Sequence, residues 1–191
     1  MSDFIIRQAR PQDAIVMTRL IMMAMTEPCC RYFCGPEHTL NEFESMMQRL
    51  CQSPDSQYSH LNALLAEQGN AVCRIALTYY GADLHQLRQA FIQAAKEAFG
   101  IDYSHIPDET QDGELYLDSF AVLPDCRKKG IGTALLHASI DKARQLSIPR
   151  LGLLVDDGNP QALRLYLNFG FKQVGINSWG GHSMKHLQID A

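Results

Sequence analysis

Residues Glu114–Lys172 read ELYLDSFAVLPDCRKKGIGTALLHASIDKARQLSIPRLGLLVDDGNPQALRLYLNFGFK, and the order of elements within them decides the fold. Leu115–Val122 has the length and apolar content of a buried strand, Arg127–Gly132 is a basic glycine-bearing turn, and a helix is expected from about Gly130 to Gln145. A strand that turns directly into a helix presents the first helical N–H groups, which lack intrahelical partners, at the positive end of the macrodipole. Gly130 and Gly132 permit close approach to the main chain, and Arg127, Lys128 and Lys129 add charge at the same place. Such a turn suits a phosphate. The competing reading is a solvated basic turn whose glycines only tighten the connection.

Spacing argues against two common phosphate motifs. Leu135 stands where a dinucleotide fingerprint needs a third small residue, and the G-K-[ST] of a P-loop is absent. Instead, Arg127-Lys128-Lys129-Gly130-Ile131-Gly132 fits the [QR]-x-x-G-x-[GA] signature of the GNAT superfamily of N-acetyltransferases, which the chain resembles. Leu117–Pro124 looks like that family's central strand, and Asn159, Ala162, Tyr166 and Gly170-Phe171 fit its N-x-x-A-x-x-x-Y-x-x-x-GF block. The chain departs from the pattern at Cys126, where many members carry an aromatic residue, and at Lys128, where many carry glycine.

This resemblance implies an α/β (α+β) fold with a mixed, mostly antiparallel central sheet flanked by helices. The central strand and Arg150–Val155 would splay apart at the acyl-CoA site. It implies acetyl-CoA as cosubstrate and no metal, with the pantetheine arm pairing with backbone at Phe120 and Val122 and bonded by Asn159. The diphosphate would sit on Arg127, Lys128, Lys129, Gly130, Ile131, Gly132 and Thr133. Tyr166 matches the family tyrosine that protonates the leaving thiolate, and a packed tyrosine is the bland alternative. An attacking amine must be neutral, so a base is useful. Strand alternation places Glu114, Tyr116, Asp118, Phe120 and Val122 on one face, with Asp118 ranked before Glu114 as that base. The implied activity is transfer of acetyl to a primary amine of a small molecule or peptide by direct attack. The alternative is a noncatalytic acyl-CoA sensor or scaffold.

Composition sets the frame. The 191 residues carry a formal net charge of -4, which favours neither nucleic acid nor an anionic membrane as partner. One domain spanning 1–191 is expected, with a helical insertion at about 81–113; a homodimer stays open. No signal peptide or membrane span is read, and a cytoplasmic location follows by default. The six cysteines are expected as reduced thiols, and Cys29, Cys30 and Cys34 lack the paired spacing of a zinc site.

Elsewhere, Phe4–Arg7 reads as a strand, and Pro11 opens a helix that runs through Met25. The loop Thr26–Pro36 is a candidate acceptor wall by the resemblance. Thr39 caps a second helix, His60–Glu67 and Ala71–Tyr80 form a hairpin turning at Gly69-Asn70, and Asp83–Phe99 is an amphipathic helix stopped by Gly100. The acidic stretch Asp102, Asp108, Glu109 and Asp112 reads as a solvated linker. The helix from Gly130 presents Ile131, Leu135, Ala138 and Leu146 inward. Phe171–Ile176 and Ser183–Ile189 close the sheet, with His182 a minor candidate for the acceptor pocket.

Overall fold

A computed structural model describes residues 4–69, 71–123, 126 and 130–191. In chain order the elements are β1 (Phe4–Gln8), α1 (Ala14–Met25), α2 (Glu27–Cys34), α3 (Leu40–Gln52), β2 (Ala63–Gln68), β3 (Ala71–Tyr80), α4 (Leu84–Phe99), β4 (Leu115–Val122), α5 (Ile131–Gln145), β5 (Arg150–Asp156), α6 (Pro160–Phe169), β6 (Lys172–Trp179) and β7 (His182–Asp190). The strands form one sheet of order β1-β2-β3-β4-β5-β7-β6. Every neighbouring pair is antiparallel except β4 with β5. This is the mixed, mostly antiparallel sheet the sequence implies.

Local chemistry explains most of the boundaries. Thr39 accepts from the Glu42 amide while Glu42 returns a bond to the Thr39 amide, a capping box that starts α3. Asn159 accepts from the Ala162 amide and Pro160 follows at the first helical position, so α6 begins there. Gly100 and Gly170 end α4 and α6 with φ of 70° and 117°, a left-handed region closed to most side chains.

Helices cover both faces. On one, α1, α2, α3 and α4 bury Met17, Leu20, Phe33, Phe43, Met46 and Phe91 against β2 and β3. On the other, α5 and α6 bury Leu135, Ile140 and Tyr166 against Leu115, Leu117 and Leu153.

Four expectations change. Thr26–Pro36 is not a loop: Glu27–Cys34 is helical, with Pro28 tolerated in the first turn, where its missing N–H has no helical partner to lose. The break with α1 falls at Thr26, whose φ of 73° is costly for a β-branched residue. His60–Asn62 is a 3-10 turn, led in by Ser59, so the second strand starts at Ala63. Leu146 is exposed, and Ile140 takes the buried position on α5, because Leu146 is already past the last helical turn. In the acidic stretch Asp102, Asp108 and Asp112 are exposed as expected, but Glu109 is buried. Asn70, Pro124, Asp125, Arg127, Lys128 and Lys129 lie outside the described residues.

Candidate active site

Strict alternation along β4 fails at one residue, and that failure builds the site. Leu77 pairs with Ser119 but Thr78 pairs with Leu117, which leaves Asp118 as an extra residue on β4. A β-bulge re-aims the side chains beyond it. Before it, Leu115 and Leu117 join the core beneath α5 and α6; after it, Phe120 joins that core and Ala121 turns to the α1–α3 side. Tyr116 packs with Tyr79 and Leu84 on the α4 side. Phe120 and Tyr116 therefore lie on opposite faces, contrary to the shared face expected from alternation. Lys142 on α5 holds the bulge from below: its Nζ donates to Thr78 Oγ1 at 2.9 Å, to Thr78 O at 3.3 Å and to Asn62 O at 3.2 Å. Burial brings this ammonium down to about 8.

The sheet opens beside the bulge. β4 and β5 pair only at Leu115↔Leu151 and Tyr116↔Gly152. Phe120 and Val122 retain Ala76 and Arg74 as partners on β3 but have none on β5. Among the described residues, no strand pairs with β4 across this gap beyond Tyr116. Tyr166 faces the same gap, its ring 6.3 Å from that of Phe120 and 5.4 Å from that of Phe171. Its hydroxyl has no hydrogen-bond partner among the described residues, and burial pushes its pKa up. Asn159 is occupied as the α6 cap, accepting from Ala162 N at 3.0 Å.

At the head of α5, Gly130 is the N-cap with φ of 70° and no side chain caps the helix, so the first-turn amides around Ile131, Gly132 and Thr133 are presented without a side-chain acceptor. A Cβ at Gly132 would run into the guanidinium of Arg74, a buried residue of β3. The sequence reading missed this cation.

Asp118 is half-buried on the α4 side, and its Oδ1 accepts from Ser119 Oγ at 2.8 Å. Burial pushes its carboxyl up to about 7, with the Glu109 charge adding to the rise; hydrogen bonds from Ser119 and Gln57 and the charge of Arg88 oppose it. Glu109 is itself enclosed, accepting from Tyr79 Oη at 2.9 Å and pairing with Arg88. Arg88 also donates to Ile106 O, Pro107 O and Asp108, which fastens the acidic stretch to α4. The signal for this was present: Arg88 falls on the stripe of Leu84, Phe91 and Ala95, and a cation on an apolar stripe needs a buried partner. Burial, with Cys30 and Asp118, pushes the Cys29 thiol up to about 12, which disfavours its thiolate.

Glu114 shares the Tyr116 face but is enclosed. Its oxygens accept from Thr110 Oγ1 at 2.6 Å and Gln188 Nε2 at 2.7 Å, and lie 2.8 Å from His186 Nε2. Burial alone would raise its pKa, but the hydrogen bonds from His186, Thr110 and Gln188 bring it below the usual value. It rests directly over Gly152, where a Cβ would overlap Oε2. Gly152→Ala should therefore destabilise the protein by about 1–3 kcal/mol through overpacking, measurable as a lower urea midpoint. His182 is exposed, 3.4 Å from Asp156.

Among the described residues, no cluster of three or more His, Cys, Asp or Glu has metal-binding geometry. No described helix is long and apolar enough to cross a membrane. Cys73 and Cys126 are joined as a disulfide with Cα atoms 5.8 Å apart, where reduced thiols were expected. The β3–β4 pairing, extended by Leu123 N to Cys73 O at 2.9 Å, brings together residues 53 apart in sequence.

Comparison with known proteins agrees with this architecture. The family described as Acetyltransferase (GNAT) family matches residues 90–171. A mycothiol acetyltransferase of Acidimicrobium ferrooxidans is 42% identical over 59 residues, 31% of this chain; the match spans only 18% of that protein's length. The crystal structure of an acetyltransferase superposes with a TM-score of 0.79 at 28% identity, covering 97% of this chain and 98% of the other. An N-acetyltransferase from Staphylococcus aureus Mu50 shares the fold with a TM-score of 0.79 at 23% identity, over 97% of this chain and 100% of its own. The sequence pattern of the GNAT family thus covers residues 90–171, from within α4 to Phe171, and the fold of these acetyltransferases extends over nearly the whole chain.

Proposed function

We propose that this protein transfers the acetyl group of acetyl-CoA to a primary amine by direct attack. The observation that carries the reading is the bulge at Asp118 beside the opening between β4 and β5. It divides the region into a Phe120–Tyr166 side suited to a thioester and an Asp118 side suited to an amine. The uncapped amides from Gly130 to Thr133, with Arg127, Lys128 and Lys129, would hold the diphosphate. Phe120 and Val122 would offer unpaired backbone to the pantetheine arm, with Asn159 at its side. Bound acetyl-CoA supplies the activated acyl carbon.

Asp118, with a carboxyl near neutrality, accepts a proton from the incoming ammonium, directly or through water, and the neutral nitrogen attacks. As the C–S bond breaks, Tyr166, whose raised pKa keeps the phenol protonated, donates to the departing sulfur, and the second proton lost by the acylated nitrogen returns through water to the phenolate. Glu114, held on three sides, keeps the closed end of the β4–β5 pair in place and is the second carboxylate of that face. The likeness to a mycothiol acetyltransferase supports acetyl transfer.

The test monitors release of free CoA thiol from acetyl-CoA over a panel of amines. Tyr166→Phe should lower kcat by about 100-fold with little change in KM for acetyl-CoA. If acetyl-CoA binds but no amine raises thiol release above the water background, the noncatalytic acyl-CoA sensor replaces this reading.

A further inference from the structure

β3 meets the chain between β4 and α5 at two neighbouring residues. Cys73 is bonded to Cys126, and the guanidinium of Arg74 lies against Gly132 in the first turn of α5. The register shows how Cys73 is released for this. Ala66 pairs with Arg74 and Glu67 with Val72, which leaves Cys73 as an extra residue on β3. A bulge of this kind re-aims a side chain. Past the end of β4, Leu123 N donates to Cys73 O at 2.9 Å, and Cys126 N donates to Leu123 O at 3.0 Å, a bond internal to the connection. Among the described residues, the disulfide is therefore the tie that fixes Cys126 to the sheet, four positions before the Gly130 cap.

The other thiols compete poorly for exchange. Cys29, Cys30, Cys34 and Cys51 are unpaired, and burial pushes Cys30 and Cys51 up to about 11, which disfavours their thiolates. Within the bonded pair Cys73 is buried and Cys126 half-buried, so an attacking thiolate reaches Cys126 Sγ first.

We propose that Cys73–Cys126 is a redox site whose partner is a small dithiol–disulfide couple, and that its state sets the affinity for acetyl-CoA. The inference rests on the acetyl-CoA reading above and adds its regulation. A dithiol, as its thiolate, attacks Cys126 Sγ; the bond to Cys73 breaks, and Cys73 leaves as a thiolate and takes a proton. The second thiol of the reagent then attacks the mixed disulfide and releases Cys126 as a thiol. Two electrons have passed to the protein, and the reagent ends as a disulfide; oxidation runs the same steps backward. With the bond in place, the approach to the Gly130–Thr133 amides is held before the ligand arrives, so less ordering accompanies binding. Reduction removes that tie and weakens binding.

The test uses the full chain, equilibrated with dithiothreitol or with its cyclic disulfide and freed of reagent under argon. Alkylation in urea, read by mass spectrometry, should label four cysteines in the bonded form and six in the reduced form. Acetyl-CoA, which has no free thiol to exchange with the bond, is then titrated by calorimetry without an amine. Its Kd should be about 10-fold lower for the bonded form. Cys126→Ser should bind like the reduced parent and ignore the reagents, although it retains Cys29, Cys30, Cys34 and Cys51.

A bond that only staples the fold would lower the urea midpoint on reduction and leave Kd unchanged. Equal Kd in the two forms, six labelled cysteines after oxidation, or a response that persists in Cys126→Ser overturns the proposal. Weaker binding that merely tracks unfolding by circular dichroism overturns it as well. If neither form binds acetyl-CoA while labelling still changes with the reagent, the acetyl-CoA reading falls and its regulation with it. Equal, tight binding by both forms removes the regulation alone.

Discussion

Asp118→Asn should lower kcat/KM by about 100- to 1,000-fold, the range of a positioned general base, and abolish the acid limb of the pH–rate profile. In the parent that limb should fall near pH 7, because burial and Glu109 raise the carboxyl to about 7. Below it the base is already protonated and the rate drops. The same substitution should make the fold more stable at alkaline pH. An aspartate whose folded pKa lies above its unfolded value of 3.8 binds more protons when folded between those limits, so stability declines as pH rises from about 4 to about 7. The full difference corresponds to at most about 4 kcal/mol, and partial exposure and coupling to Glu109 reduce what is realised. Urea melts of parent and variant should nearly coincide at pH 4 and diverge by pH 8, with the variant more stable. A variant that is inactive and also less stable at pH 8 would make Asp118 a structural acceptor instead.

Arg88→Met should give the largest loss of stability, about 3–5 kcal/mol, because it leaves Glu109 buried with only Tyr79 as a near partner. Adding Glu109→Leu to it should recover much of that loss, since it is the unpaired charge that is costly. The pair also bears on the base. Arg88 lowers the Asp118 pKa and Glu109 raises it, so Arg88→Met should move the acid limb upward in pH and Glu109→Gln should move it downward. Urea midpoints and pH–rate profiles of these variants check both statements. Equal stability of Arg88→Met and the parent would mean that the acidic stretch is not held by this ion pair.

Much of this molecule could be read from local signals. The capping box at Thr39, the glycine stops at Gly100 and Gly170, and the Asn159-Pro160 start are satisfied by residues within four positions of one another. Helix periodicity identified α1, α3 and α4 for the same reason, because the face a helix buries is set by its own spacing. Where the reading failed, the deciding partner was distant. Glu109 is buried by Arg88 and Tyr79, which lie 21 and 30 residues away. Cys73 and Cys126, 53 residues apart, meet only because β3 pairs with β4.

The amino-acid order alone determined the strand-turn-helix from Leu115 to Gln145, the phosphate-suited turn within it and the family pattern that continues to Phe171, since these depend on near-neighbour spacing and backbone chemistry. Tertiary structure alone decided which face each β4 side chain takes. That choice depends on one extra residue in the β3–β4 register, supported by Lys142 from α5, and no spacing within β4 encodes it. The bulge separates Phe120 from Asp118, because a one-residue shift in pairing reverses every side chain beyond it.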